Sequence, residues 1–433
     1  MLASVLIIPL MLGQAAFAHG GAWVDKVPAE RLIRNLQRKA FEHPNDADAL
    51  YQLGRAYMIS AYHEKIGVPS EEPPGPLKDS DYDEHGIVWG DGLYFDENYF
   101  PESEKDRIYW ERIQNTIEYN RGKFDVEKHT LRRAALERIR KAISFYKRSI
   151  EIEPTALKLL SLAWAYDVAG RTEDAKHLYR RIIEDNWPKE RDQEWHTAYR
   201  NTDGTYDSIY KKYSDTFDFE MARFITYEAG FYLSALLDPQ KDREELSDLK
   251  EKMLHLARNG IMDLGVTPLI IPLDRHASLP ALVSETTSVS FDLDGLGARD
   301  WQWLTPQAGL LVWVGDEPET RIASGHQLFG NVSFHIFWRD GYEALAALDD
   351  DGDGWLRGDE LTGLAIWADR NADARSATDE IVALGDLGIV GLAASAGGAV
   401  AGMPFNASGV EYDDGSTGPS YDWISHPRPT PMN

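Results

Sequence analysis

Residues 156–188 read ALKLLSLAWAYDVAGRTEDAKHLYRRIIEDNWP, and their periodicity decides the architecture of the first half of the chain. Leu159, Leu162, Ala163 and Tyr166 recur at helical spacing and form one face. Gly170 allows a tight turn, and Ala175, Tyr179 and Ile182 form a second stripe. Two antiparallel helices therefore follow, with Trp187-Pro188 expected to end the second.

Working outward, Pro154 closes a preceding helix that carries Ala142, Tyr146 and Ser149, and an earlier helix after Pro44 carries Leu50, Leu53, Gly54 and Tyr57. Small and apolar residues at these places resemble tetratricopeptide repeats, one complete and one split by an insertion at about 63–130. That insertion holds a Pro-rich run (71–76), an acidic run (79–84) and several aromatics. A third pair is predicted from the apolar stretch 219–237 and from Leu246, Leu249, Met253 and Leu256. Asp242 and Glu245 are placed as its capping box and Asn259-Gly260 as its C-terminal cap. Three pairs suffice to bury a continuous core, and such repeats usually hold protein partners.

Composition sets further bounds. The 433 residues carry 45 basic and 71 acidic side chains, a net charge of −26. No basic patch could dominate such a field, so nucleic acid and anionic membranes are not expected partners. With no cysteine, disulfides, thiolate metal sites and a cysteine nucleophile are excluded. Residues 285–433 hold 7 arginines, no lysine and 24 acids, a net −17. This break predicts a boundary near 260, with separate cores in 19–260 and 261–433. At the N-terminus, an apolar run from Leu2 to Leu12 leads into Ala16-Phe17-Ala18. Residues 1–18 thus read as a cleaved export signal that leaves His19 first, and the mature protein is expected outside the cytoplasm. The run is too short to span a bilayer.

The strongest chemical signal is DDDGDGWLRGDE at 349–360. Asp349, Asp351 and Asp353 alternate on a turn that Gly354 permits. Trp355 offers its backbone carbonyl, and Glu360 closes the shell in bidentate fashion. This is the twelve-residue EF-hand calcium pattern, since Ca²⁺ takes six to eight oxygens. Arg357 stands at position 9, so water rather than a carboxylate is expected there. The sequence DRNADARSATDE at 369–380 repeats the pattern with Asp369, Asn371, Asp373, the carbonyl of Arg375, and Glu380. Ala374 replaces its glycine, so the second loop is expected to bind more weakly or to be a vestigial turn.

Eight residues separate the loops, too few for complete helices, so the pair is condensed. Alternating stretches at 289–295, 300–304 and 309–313 predict short strands, and 409–423 a hairpin around Asp413-Asp414-Gly415. Through Phe291-Asp292-Leu293-Asp294-Gly295, Gln327-Leu328-Phe329-Gly330, Gly341-Tyr342-Glu343-Ala344-Leu345 and the two loops, residues 287–424 resemble the EF-hand-like calcium domain of secreted bacterial proteins, some associated with haemolysin-type toxins. That resemblance implies calcium binding and export. The family's further acidic loop falls here on Val314–Thr320, which has a proline and no glycine at the bend.

The expected fold is therefore two-domain: an N-terminal all-α, tetratricopeptide-like array and a small C-terminal α+β domain with condensed EF-hand-like loops. The expected function is an exported calcium-binding scaffold for protein partners, with no chemistry of its own. Hydrolase, phosphate-loop and zinc-protease motifs are absent from the sequence. The alternative is a secreted hydrolase or glycan binder with its site in the 63–130 insertion. Trp301 and Trp303 on one strand face could also stack a sugar, and a terminal His19 could chelate copper.

Overall fold

The computed structural model describes residues 27–66, 133–191, 225–258 and 265–425, the last without 276, 296–297 and 316–320. Residues 1–18, His19, most of the 63–130 insertion, Asn259-Gly260 and most of Val314–Thr320 lie outside the described residues. Helices fill the first part: α1 Ala29–Glu42, α2 Ala47–Ile66, α3 Arg133–Ile152, α4 Ala156–Val168, α5 Thr172–Glu190, α6 Ile225–Leu236 and α7 Arg243–Arg258. Each packs against the next along the chain. No described helix is long and apolar enough to cross a membrane.

Close packing explains the small residues. A Cβ on Gly54 of α2 would lie 2.5 Å from the Tyr146 ring of α3, so glycine lets the two helices meet. Thr155 caps α4 by accepting the Lys158 N–H, while α4 itself is buried on every face. Its Lys158 ammonium is held by Asp48 at 3.0 Å and by Glu153. Two local expectations need correction. Pro188 does not end α5, because it sits inside the last turn of a helix that runs to Glu190. Glu245 makes no capping box with Asp242. It instead takes both nitrogens of an Arg180 fork at 2.6 and 2.8 Å, tying α7 to α5, and Asp242 accepts the Asp238 N–H.

The second part is a curled antiparallel sheet. Its strands are β1 Leu269–Pro272, β4 Ala308–Trp313, β5 Trp355–Arg357, β6 Leu364–Trp367, β7 Ile381–Ala383, β8 Ile389–Ala393, β10 Met403–Tyr412 and β11 Thr417–Asp422, ordered β5-β8-β10-β11-β1-β4-β6-β7. Strand β9 (Gly398–Val400) adds to β10. A separate ribbon pairs β2 (Val283–Phe291) with β3 (Arg299–Leu304). Short helices α8 (Leu279–Leu282) and α9 (Gly341–Ala346) complete the described elements apart from 3₁₀ turns.

Alternation along the strands sorts side chains between two cores. Leu269, Ile271, Leu311, Trp313, Leu364 and Ile366 join one cluster, whereas Ile270, Leu310, Val312, Ala365 and Trp367 join the other together with the β2–β3 ribbon. The first cluster is continuous with the core of α1 to α7. The C-terminal part thus keeps a core of its own, the ribbon-side cluster within residues 266–423. The expected full separation near residue 260 is corrected, because the other cluster is shared with the helices. The sheet has two apolar faces, and one of them is buried against the same cluster as the helices. Polar bonds cross the junction as well. Buried Arg55 of α2 donates to the His335 carbonyl at 3.0 Å and lies over the Phe337 ring, and Lys39 of α1 pairs with Glu343 at 2.8 Å.

Candidate metal centre

Both acidic loops fold on the same hydrogen-bond plan. In the first, Asp349 accepts the N–H of Gly354 at 2.9 Å, Asp351 that of Asp353 at 3.0 Å, and Asp353 that of Trp355 at 2.7 Å. Glu360 reaches back to the N–H groups of Asp350 at 2.6 Å and Arg357 at 3.0 Å. In the second, Asp369 accepts from Ala374 at 2.9 Å, Asn371 from Asp373 at 3.0 Å, and Asp373 from Arg375 at 2.8 Å. Glu380 accepts from Arg370 at 3.1 Å and Ala377 at 3.2 Å. Every one of these bonds links the same pair of loop positions in both segments. The short polar side chains satisfy main-chain donors on the inside of a tight turn and so face one another.

Two groups of oxygens result that could hold a metal ion. Carboxylate oxygens of Asp349, Asp351 and Asp353 lie within 4.8 Å of one another, and so do those of Asp369, Asp373 and Glu380. Glu360 lies at the first loop through its bonds to Asp350 and Arg357 but is not in that first group. Asn371 donates its amide to Asp373 at 3.0 Å. Trp355 and Arg375 hold the seventh positions through their N–H bonds to Asp353 and Asp373. Like charges at about 4 Å repel by roughly 1 kcal/mol in water and about 4 at an effective dielectric of 20, so each cluster favours a cation.

The missing glycine of the second loop is resolved by packing. Gly352 and Gly354 have φ of 78° and 86°, and Ala372 and Ala374 adopt the same left-handed turn at 56° and 55°. Alanine there costs roughly 1–2 kcal/mol. The Ala374 methyl is buried in the ribbon-side core, and Ala372 packs against it, which offsets the strain.

Surroundings distinguish the loops. Asp369 is buried, and its Oδ2 also accepts the Trp303 indole N–H at 2.6 Å. Burial pushes its carboxyl above the ordinary range, against the pull of the Ala374 and Trp303 donors. Trp303 is part of an aromatic cluster with Phe291, Trp367 and Trp423. This corrects the sugar-stacking reading, since Trp301 and Trp303 are both 0% exposed and Trp301 donates to the Phe291 carbonyl. The first loop faces the helices. Arg357, at its ninth position, grips Glu411 through two bonds of 2.8 Å and Asp353 through one of 3.1 Å. The Arg357 bond holds the Glu411 carboxyl below its usual value.

Residues outside the motif complete this first loop. Asp350, at its second position, takes Arg31 at 3.0 Å, Arg34 at 2.7 Å and Asn35 at 2.9 Å, all from α1. Arg38 donates to the carbonyls of Asp349 and Asp350, Arg31 to those of Leu348 and Glu360, and Asn35 to that of Ala347. In the sequence these residues show only as three arginines and an asparagine at helical spacing beside Leu32, Leu36 and Ala40. Nothing in one dimension joins them to a loop more than 300 residues away.

Residues 269–424 match the family described as the SPM domain. That match begins at the first residue of β1 and ends two residues past β11, so it takes in the sheet, the ribbon and both loops. It covers about a third of the chain. No curated relative matches the chain.

Proposed function

We propose that the protein is an exported, calcium-stabilised scaffold that binds other proteins and performs no chemistry of its own. Supporting the calcium reading is one observation above all: two loops of unrelated surroundings keep the same set of side-chain to main-chain bonds, each around an acidic cluster. An acidic surface turn has no reason to be copied in this detail, with two alanines held in left-handed conformations to do so. All-oxygen donor sets suit a hard cation. In each loop, a carboxylate at position 12 bonded to the second and ninth amides draws the two ends of the loop together.

Export rests on residues 1–18, and the condensed EF-hand-like character of the loops on their spacing. Partner binding rests on the helical array. Because α4 is buried all round, contact with partners falls to the exposed faces of the outer helices rather than to a groove along α4.

Calcium titration of the full mature chain tests the proposal. Unfolding should shift upward by RT ln(1 + [Ca²⁺]/Kd), about 2.7 kcal/mol per site at 100 times Kd. Glu360→Gln should remove one site's share and Glu380→Gln the other's. A melt that ignores calcium and chelator alike would refute the calcium reading.

A further inference from the structure

We propose that α1 is a working part of the first loop's metal site, so that filling this loop and seating the helices on the sheet domain form one coupled equilibrium. This inference rests on the calcium reading above and concerns its regulation. The loop is held from outside at both ends. Arg38 fixes the carbonyls of Asp349 and Asp350, while Arg31 bridges those of Leu348 and Glu360. Asn35 spans the Ala347 carbonyl and the Asp350 carboxylate. Positions 1 and 12, which must converge on an ion, are thus braced by a helix of the other half of the chain.

Two effects oppose each other. Bracing the main chain prepays part of the ordering that binding demands, which raises affinity. Guanidinium charge near the site repels a cation, which lowers it. The charge effect is muted because Arg31 and Arg34 pair with Asp350, a carboxylate at a position that supplies no ligand, and because Arg34 is largely exposed to water. Arg38, on the Asp349 and Asp350 carbonyls, contributes the repulsion that remains. Bracing therefore dominates, and α1 raises the affinity of the first loop. Coupling between binding free energies is reciprocal, so the ion in turn tightens α1 against the sheet domain.

Asn35→Ala separates the effects, because it removes bonds without changing charge. In calcium titrations of the full chain by calorimetry, it should weaken the first loop about fivefold, the lower end of ordinary coupling. The second loop should be unaffected, and Glu380→Gln serves as background to isolate the first. Hydrogen exchange on the unaltered chain gives a second reading that does not depend on a variant folding. Calcium should slow exchange of α1 amides at least fivefold, and Glu360→Gln should abolish this. Binding that is normal in Asn35→Ala, with α1 exchange indifferent to calcium, would overturn the coupling and leave the calcium reading standing. A chain that binds no calcium at all would instead end both.

Discussion

The Trp303 indole gives a prediction whose magnitude follows from a paired comparison. Trp301 and Trp303 lie on one strand, and both are fully buried. Each donates one hydrogen bond, Trp303 to the Asp369 carboxylate at 2.6 Å and Trp301 to a main-chain carbonyl at 2.8 Å. Replacing either by Phe leaves a void of about 40 Å³, worth roughly 1 kcal/mol at ~24 cal/mol per Å³. A bond to a charged acceptor contributes about 1.5–3 kcal/mol and a neutral one about 0.5–1.5. Trp303→Phe should thus cost about 2.5–4 kcal/mol and Trp301→Phe about 1.5–2.5. The cavity term cancels in the difference, which leaves about 1–1.5 kcal/mol for the bond to Asp369. Urea unfolding of the full chain in chelator reads this directly. Equal losses in the two variants would refute the claim that the indole supports the second loop's first carboxylate.

Two further predictions concern pH and have opposite signs. Glu343 is held below its ordinary value of 4.5, because the Lys39 ammonium and the Arg339 N–H outweigh its burial; its contribution is present above that value and lost as pH falls through the depressed one. The melting gap between the unaltered chain and Glu343→Gln should accordingly close on acidification, and a gap constant from pH 3 to 7 would contradict the pairing. Asp422 is pushed well above 3.8 by burial and by Asp340, so the folded state holds its proton longer and stability falls as pH rises from 3.8 toward the raised value. Asp422→Asn, which keeps an acceptor for the Gly341 N–H, should flatten that decline, and an unchanged pH profile would show that Asp422 titrates normally.

How much could be read in advance depends on range. Helix stripes such as Leu159, Leu162 and Tyr166, strand alternation at 300–313 and the hairpin at 409–423 are local patterns, and the structure places elements at each. The two acidic clusters are legible because each is gathered by one turn. Long-range choices are not. Whether Glu245 would cap its own helix or meet Arg180 depends on which helix lies alongside. Whether Trp303 would face water or Asp369 depends on a loop 66 residues on, just past β6. Ala374 looked like a defect because its buried methyl contact is absent from the local sequence.

The composition break near residue 260 shows the same limit most clearly. A segment with no lysine and a net charge of −17 looks like an independent domain. Such a segment has few cations of its own with which to balance its acidic loops. Arg31, Arg34 and Lys39, all on α1, meet Asp350 and Glu343 across the boundary, and Arg38 holds the adjoining main chain. Helix α1 thus supplies cations that the sheet domain lacks, and it meets carboxylates and carbonyls there. A charge asymmetry along a chain marks a boundary in sequence, but in space opposite signs attract, and so the same asymmetry marks where the two parts join. The common apolar cluster beneath that contact makes the junction part of the fold.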